Sequence, residues 1–226
     1  MLPIGIAAQD RGFVHPGILH TQADFDRIKK QLAEGDPVVT AGYKKLTDNW
    51  LANKWDGQWG PTEYIVRGGT SGQNYMSATN DGAMAYLFAL RYKITDDSKY
   101  ADRAIRILNS YPSVTKGIGG DTNGSLASGF IGYYFANAAE LLRDYEGWVP
   151  KDFKAFQQFM LDIFFARAQD FLQNRHGTCN SHYQSNWGAC NILTLISIGI
   201  LCDDPAIYNY GMWFLKQGDG NESISL

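Results

Sequence analysis

Apolar residues recur every three or four positions along most of this chain, the spacing that places them on one face of an α-helix. Ala83, Leu87, Leu90 and Ile94 form one such series. Capping residues and prolines mark the ends of the segments, with Thr21 before the first. The predicted helices cover residues 22–33, about 37–53, 77–94, 98–110, 129–145, 151–173, 187–202 and 205–216.

The connections between these helices alternate between short turns and long polar loops. The long loops are 54–74, 111–128 and 174–186, and the helices on either side of each short turn form hairpins. Stacked antiparallel hairpins build a solenoid or a closed toroid, in which the long loops share one rim. The pattern therefore predicts an all-α fold, an (α/α) toroid or incomplete barrel of helix hairpins, as a single domain over residues 1–226. No strand is predicted in any segment.

Composition excludes two classes of partner. Hydrophobic residues make up 45% of the chain and charged residues 19%, the balance of a globular protein with a buried core. The net charge of −3 provides no basic field for nonspecific binding of nucleic acid. No apolar run reaches the roughly 18 residues that span a bilayer. Neither nucleic acid nor a membrane is therefore expected as a partner.

The spacing of residues supports neither a metal site nor a cofactor site. The His and Cys residues do not follow the usual zinc-binding patterns. The glycines of Gly117–Gly120 do not follow a predicted strand, as those of a dinucleotide-binding loop would. No cofactor and no metal is expected. His15 and His20 are instead expected to hold the N-terminal segment in place.

The first residues, Met1 to Ala8, are apolar and end in small residues, but they lack a basic start and a full apolar core. They are similar to the remnant of a secretory signal. The triplets that begin at Asn123 and Asn221 match the N-glycosylation pattern. Together these features favour a secreted or periplasmic protein.

The segment from Gly177 to Gly188 concentrates amide, imidazole and aromatic side chains directly before the apolar helix 187–202. Such polar side chains favour caps and turns over helix interiors. The N-terminus of that helix also presents unpaired N–H groups and the positive end of the helix dipole. This combination predicts a binding site for an anionic ligand.

Four short motifs resemble the alginate-lyase-like polysaccharide lyases. They are Phe13–Thr21, Asn80–Tyr86, Ala138–Arg143 and Asn186–Ala189, and they stand in the family's order over nearly the whole chain. The resemblance implies an (α/α) toroid that cleaves uronic-acid polysaccharides, such as alginate, polymannuronate or glucuronan, by β-elimination. The expected partner is that anionic polysaccharide.

In such lyases an Asn, often with a nearby His, neutralises the uronate carboxylate, and a Tyr or His removes the proton at C5. Donors on the carboxylate stabilise the enolate-like charge as it develops, and a base within hydrogen-bond reach then takes the proton. The resemblance implies these catalytic roles for Asn186 and His182. Each has a plainer alternative, Asn186 as a helix N-cap and His182 as a solvated loop histidine.

Further polar and aromatic residues near the predicted rim are candidates for substrate binding. For Trp187, packing at the helix start is a more common role than stacking on a sugar. For the glycine-rich loop around Asn123, a turn without a ligand is as good an interpretation as substrate binding. The candidates are Tyr183, Gln184, Asn180, Trp187, Asn123, Asn80 and Tyr75.

Related lyases carry a further cluster of Arg, His and Tyr beyond a Gly-Asn-x-Ser stretch, which stands here at Gly220–Ser223. The resemblance therefore implies the N-terminal part of a larger toroid, with an incomplete catalytic domain. An open arc of hairpins would expose an apolar face at its end and is expected to self-associate.

Two other functions fit the same pattern. A glycoside hydrolase needs a pair of carboxyl groups, for which the loops offer Asp121 and Glu63. A non-catalytic carbohydrate-binding scaffold of helices needs no catalytic residue. The fold alone does not separate these functions from a lyase.

Overall fold

The computed structural model of the chain describes residues 12–70, 72–179, 182–183 and 186–218. Helices dominate these ranges, which confirms the predicted all-α class. The elements, in chain order, are α1 Gln22–Ala33, α2 Pro37–Asp48, β1 Tyr64–Arg67, α3 Tyr75–Thr95, α4 Ser98–Ser110, β2 Gly117–Gly120, α5 Asn123–Leu141, α6 Pro150–Phe159, α7 Ala166–Asn174, α8 Asn186–Leu201 and α9 Pro205–Gln217. None of the helices within these ranges is long and apolar enough to cross a membrane.

Two helices have the bounds that their local sequence predicts. The Thr21 side chain caps α1 and forms a capping box with Asp24, so α1 begins at Gln22. The Asp97 side chain accepts a hydrogen bond from the Lys99 N–H and starts α4 in the same manner. Capping acts within one turn of chain, and these helix starts were therefore visible in the sequence.

Two predicted helices are interrupted. The predicted helix 37–53 is wrong in its last part, because α2 ends at Asp48 and Asn49 takes an extended conformation before a 3₁₀ turn at Leu51–Asn53. The Arg91 guanidinium holds that turn through a 2.7 Å hydrogen bond to the Ala52 carbonyl. The predicted helix 151–173 is divided into α6 and α7 by a π-helical turn at Met160–Phe165.

Helices α3, α5 and α8 lie side by side and run in the same direction. The first turns of α5 and α8 meet where the Asn191 side chain donates a 3.2 Å hydrogen bond to the Ser125 carbonyl. The Tyr75 ring at the start of α3 lies 6.4 Å from the Phe130 ring of α5, measured between centroids. The three N-termini therefore share one end of the molecule.

Each outer helix of this layer returns antiparallel to its partner. In the α3–α4 hairpin, Arg91 donates a hydrogen bond to the Tyr100 hydroxyl, while Arg103 lies near the Met84 sulphur. In the α8–α9 hairpin, a Cβ placed on Gly199 would lie 2.5 Å from the Tyr208 nitrogen. These hairpins are as predicted. Closure of the arc into a toroid stays a prediction.

The loop predicted up to Ser128 is wrong from Asn123 onward, because residues 123–128 are helical. Helix α5 begins at Asn123. Glycines let α8 approach its backbone: a Cβ on Gly129 would lie 2.6 Å from the Cys190 Cβ, and one on Gly132 would lie 2.7 Å from a Thr194 methyl carbon. Close packing against α8 outweighs the low helix propensity of these residues.

Strands β1 and β2 form a short parallel pair, and the expectation of no strand is wrong here. Their register pairs Tyr64 with Gly117 and Arg67 with Gly120. The pair joins the connection between α2 and α3 to the connection between α4 and α5. It therefore holds two of the predicted rim loops together beside the starts of α3 and α5.

The segment before α1 is bound across the opposite end of the layer. His15 contacts the Glu140 carboxylate at 2.6 Å and the Asp203 carboxylate at 2.9 Å, bridging the C-terminal ends of α5 and α8. His20 lies 2.6 Å from the Tyr86 hydroxyl of α3. The structural role predicted for both histidines is confirmed.

Candidate active site

The N-termini of α3, α5 and α8 form the candidate site, called here the N-terminal rim and defined by Tyr75, Asn123 and Asn186. Each helix start leaves N–H groups without an intrahelical partner and carries the positive end of the helix dipole. Parallel packing adds these partial charges at one end of the molecule. The rim is therefore electrostatically suited to an anion, and at α5 the Asp121 carboxylate already accepts from the Asn123 N–H.

Arg67 adds a full positive charge beside the rim. It is the last residue of β1, and its guanidinium carbon lies 4.8 Å from the Tyr75 ring centroid and 5.6 Å from that of Phe130. Among the residues that the structure describes, no carboxylate forms a salt bridge with it. Two aromatic rings therefore orient a half-buried cation whose charge is not neutralised by a neighbour.

The influence of Arg67 extends to α8. Burial raises the pKa of the Cys190 thiol, and the positive charge of Arg67 partly opposes that rise. Cys190 lies one helical turn after Asn186 in α8. Arg67 thus acts electrostatically on all three helices of the rim.

Asp121 connects the turn after β1 to the start of α5. Its carboxylate accepts hydrogen bonds from the Gly69 N–H at 3.0 Å and from the Asn123 N–H at 2.8 Å. The Asn123 side-chain amide donates a further bond of 2.9 Å. These contacts, those with Asn123 foremost, hold the pKa of the Asp121 carboxyl below its usual range.

Gly68 is required where this connection turns. Its φ of +75° lies in the left-handed region, and a Cβ there would overlap the Asp121 carboxylate. Asn123, predicted to bind substrate, is therefore also a structural residue of the rim, with its amide hydrogen directed to Asp121.

Aromatic rings pack together around the segment before α8. The Tyr183 ring lies 4.8 Å from the Trp187 ring and 4.7 Å from the His182 ring. Trp187 also contacts Phe171 at 6.0 Å, and it is half-buried. Trp187 therefore packs against two aromatic rings, and its contact with substrate stays a prediction. Tyr183 supports the exposed imidazole of His182 from one side.

A left-handed turn precedes that segment. Arg175, His176 and Gly177 have φ values of 46°, 53° and 75°. A non-glycine residue in this conformation costs about 1–2 kcal/mol, so packing must hold the turn. Arg175 is buried with its guanidinium 5.1 Å from the Phe171 ring centroid.

His176 is a half-buried imidazole in this turn. Its ring lies 5.4 Å from that of Tyr183, and its buried Nε2 atom has no hydrogen-bond partner among the described residues. Burial lowers its pKa, and the charge of Arg167 lowers it further. The lowered pKa favours the neutral form of the His176 ring. This ring contacts Tyr183, and Tyr183 in turn contacts His182.

The structure brings together some of the predicted site residues. Tyr75, Asn123 and Asn186 begin the three helices of the rim, and Asn186 is exposed as the first residue of α8. Asn80 is half-buried in the second turn of α3, farther from the helix start. The predicted site residues Asn180 and Gln184 lie outside the described residues.

Sequence reasoning missed Arg67 and His176. The run Tyr64-Ile65-Val66 contains the aromatic and β-branched residues typical of a strand, and it could have indicated β1. The pairing that brings Arg67 to the rim depends on β2, far along the chain, and had no local signal. His176 stands next to the segment that the sequence singled out.

The two carboxyl groups that the sequence offered for a hydrolase, Asp121 and Glu63, are each held by other partners. Asp121 has a lowered pKa, whereas a general acid needs a raised one. Glu63 binds Lys116 at 2.7 Å on the surface. Across the described ranges, no group of three or more His, Cys, Asp or Glu residues is arranged to hold a metal ion.

A comparison with family models matches residues 22–224 to the family described as alginate lyase. The match covers nearly the whole chain and implies a polysaccharide lyase with a polysaccharide substrate. A search of curated proteins found no match.

Proposed function

The chain belongs to the alginate lyase family, and we propose that it cleaves a uronic-acid polysaccharide, such as alginate, polymannuronate or glucuronan, by β-elimination at the N-terminal rim. One observation carries this proposal: three parallel helix N-termini and the unneutralised Arg67 cation meet where polar side chains of the predicted site lie. This arrangement suits a carboxylate ligand, which distinguishes a uronate polymer from a neutral one.

Neutralising the substrate carboxylate is the first task of the site. The proton at C5 is too weakly acidic while the adjacent carboxylate keeps its full charge. Hydrogen bonds from Asn186 and the positive charge of Arg67 would stabilise the enolate-like state in which that charge increases. Losing one such donor costs about 10²–10³-fold in turnover in comparable anion-stabilising sites.

His182 is the proposed group for the proton transfer, as base at C5 or as a further donor to the carboxylate. It is exposed and supported by Tyr183, so it can approach a bound sugar. In the elimination the base takes the C5 proton, the electron pair forms a C4–C5 double bond, and the C4–oxygen bond breaks. The departing oxygen then takes up a proton.

The glycoside hydrolase alternative finds less support in the carboxyl groups. It needs one carboxyl with a raised pKa opposite a second that stays ionised. Asp121 is stabilised as its anion by three hydrogen bonds, and Glu63 is bound to Lys116. A non-catalytic scaffold is the remaining alternative, and an activity measurement separates it from a lyase.

The test follows the ultraviolet absorbance of the unsaturated sugar end that only elimination produces. The protein is incubated with alginate, polymannuronate and glucuronan in turn. Asn186→Ala and Arg67→Gln should each lower the initial rate about 10²-fold. Arg27→Gln is the matched control, because Arg27 is an exposed arginine on α1, and its rate should equal that of the parent.

Two results would contradict the proposal. Cleavage without an absorbance increase would indicate hydrolysis. Unchanged rates in both rim variants would show that the rim takes no part in the reaction, whichever polymer is cleaved.

A further inference from the structure

Exposed tryptophans form a second surface away from the rim, called here the tryptophan platform and defined by Trp50, Lys54, Trp55 and Trp59. All four residues lie in the connection between α2 and β1. The exposed fraction of the residue is 61% for Trp50, 40% for Trp55 and 38% for Trp59. Aromatic side chains gathered in this way on a surface often mark a binding site.

Buried groups hold the backbone of the platform. The Arg103 guanidinium, 3% exposed, donates a 3.2 Å hydrogen bond to the Lys54 carbonyl and another to the Gly57 carbonyl. The fully buried Asp81 carboxylate accepts from the Trp59 N–H at 3.0 Å and from the Gly60 N–H at 2.8 Å. Much of the platform backbone is therefore ordered before a ligand binds, which lowers the entropic cost of binding.

The rings of the platform have different roles. The Trp55 ring is anchored 4.9 Å from the core residue Phe88. The Trp59 ring stands perpendicular to the Trp50 ring at 5.6 Å and carries the Lys54 ammonium 4.9 Å from its centroid. Trp50 is the most exposed residue of the three.

A positive charge stands over the Trp59 ring, which is the neighbour of Trp50. No carboxylate of the described chain forms a salt bridge with Lys54. Burial lowers the pKa of the Arg103 guanidinium, and the negative charge of Asp56 opposes that fall. An aromatic face next to an unneutralised ammonium matches a sugar ring that carries a carboxylate, because the C–H face of the sugar is apolar and its acid group is anionic.

We propose that the tryptophan platform is a second binding surface for an acidic polysaccharide, with Trp50 stacked on a uronate ring and Lys54 bound to its carboxylate. The choice of a uronate polymer rests on the proposed function. The platform lies against α3 and α4, where Arg91 and Arg103 hold its backbone, and none of its four residues belongs to a helix start of the rim. It would retain a long chain near the enzyme between cleavage events.

A second copy of the chain is a less suitable occupant. A two-fold contact through the same surface would bring both Lys54 ammonium groups toward each other. A uronate polymer instead supplies the opposite charge to Lys54.

The test is affinity electrophoresis in native gels that contain polymannuronate, with neutral dextran as the comparison polymer. Trp50→Ala and Lys54→Gln should each weaken retention by polymannuronate, Trp50→Ala by about 10-fold in apparent Kd, equivalent to about 1.4 kcal/mol. Val149→Ala is the matched control, since Val149 is 55% exposed and outside both surfaces, and its retention should be unchanged. Far-ultraviolet circular dichroism verifies that each variant is folded.

Initial rates separate the platform from the rim. The platform variants should cleave polymer more slowly than the parent but cleave a uronate trisaccharide at the parent rate. If the parent shows no lyase activity while Trp50→Ala is still retained less by polymannuronate than the parent, the binding surface is supported and the proposed function is contradicted. Equal retention of the parent and both variants would overturn the platform. So would a dimer that Trp50→Ala dissociates without any change in retention.

Discussion

The contact between α5 and α8 at Gly129 is the sharpest test of how the rim is built. The Cβ of Gly129→Ala would lie 2.6 Å from the Cys190 Cβ, 2.9 Å from the Cys190 carbonyl carbon and 3.0 Å from the Asn191 nitrogen. Ordinary contacts of a Cβ begin at 3.4 Å. Two of the three atoms belong to the backbone of α8, so a side-chain rotation cannot relieve the clash.

The expected free energy has two parts of opposite sign. Replacing a helical glycine by alanine stabilises a helix by about 1 kcal/mol. Overpacking costs about 1–3 kcal/mol, and a clash with backbone belongs at the upper end of that range. Gly129→Ala should therefore lower the free energy of unfolding by about 1–2 kcal/mol, which is a fall in Tm of roughly 2–8 °C for a chain of this size.

Gly42→Ala is the control, because Gly42 lies inside α2 and an added Cβ would meet nothing within 4 Å. It should raise Tm by about 2–4 °C, for a gain of about 1 kcal/mol. Thermal unfolding followed by circular dichroism measures both variants. A rise in Tm for Gly129→Ala equal to that for Gly42→Ala would refute the close approach of α5 and α8.

Two further predictions concern polar groups inside the fold. Asp81→Asn leaves one carbonyl oxygen for three donors, which are the Trp59 N–H, the Gly60 N–H and the Tyr111 hydroxyl. It should lower the free energy of unfolding by about 3 kcal/mol, measured by denaturant titration. An unchanged midpoint would show that these bonds do not stabilise the fold. Burial lowers the pKa of His20 despite the opposing charge of Asp24. Because the unfolded chain binds the proton more readily than the folded chain, low pH favours unfolding. The stability that is present above the unfolded pKa is therefore lost as pH falls through the folded pKa. His20→Gln should flatten the pH dependence of unfolding below about pH 6.5, and a parallel curve for parent and variant would contradict this.

Local chemistry made part of the fold predictable. The Thr21 and Asp97 caps act on N–H groups within the next turn, so the bounds of α1 and α4 followed from short stretches of chain. The polar segment before α8, with Asn186 at the helix start, was also visible in the sequence as a local cluster of amide and aromatic side chains. Helical periodicity extends over many turns, and it indicated the hairpins before any contact between them was known.

Contacts between distant segments decided the rest. Strand β1 depends on β2, and together they bring Arg67 beside Tyr75 and Phe130. The first turns of α5 resembled a loop because Gly124 and its polar neighbours have a low helix propensity, while the groups that Gly124 packs against, at Gly119 and Arg167, belong to other elements.

The amino-acid sequence by itself determined the helical class, several helix ends and the amide-bearing start of α8, since each depends on neighbours within one or two turns. Only the tertiary structure decided that α3, α5 and α8 start at one end, and that Arg67 and the tryptophan platform lie where they do. The charge and the shape of a site depend on segments that are far apart in the chain, and a local sequence pattern does not show which of these segments come together.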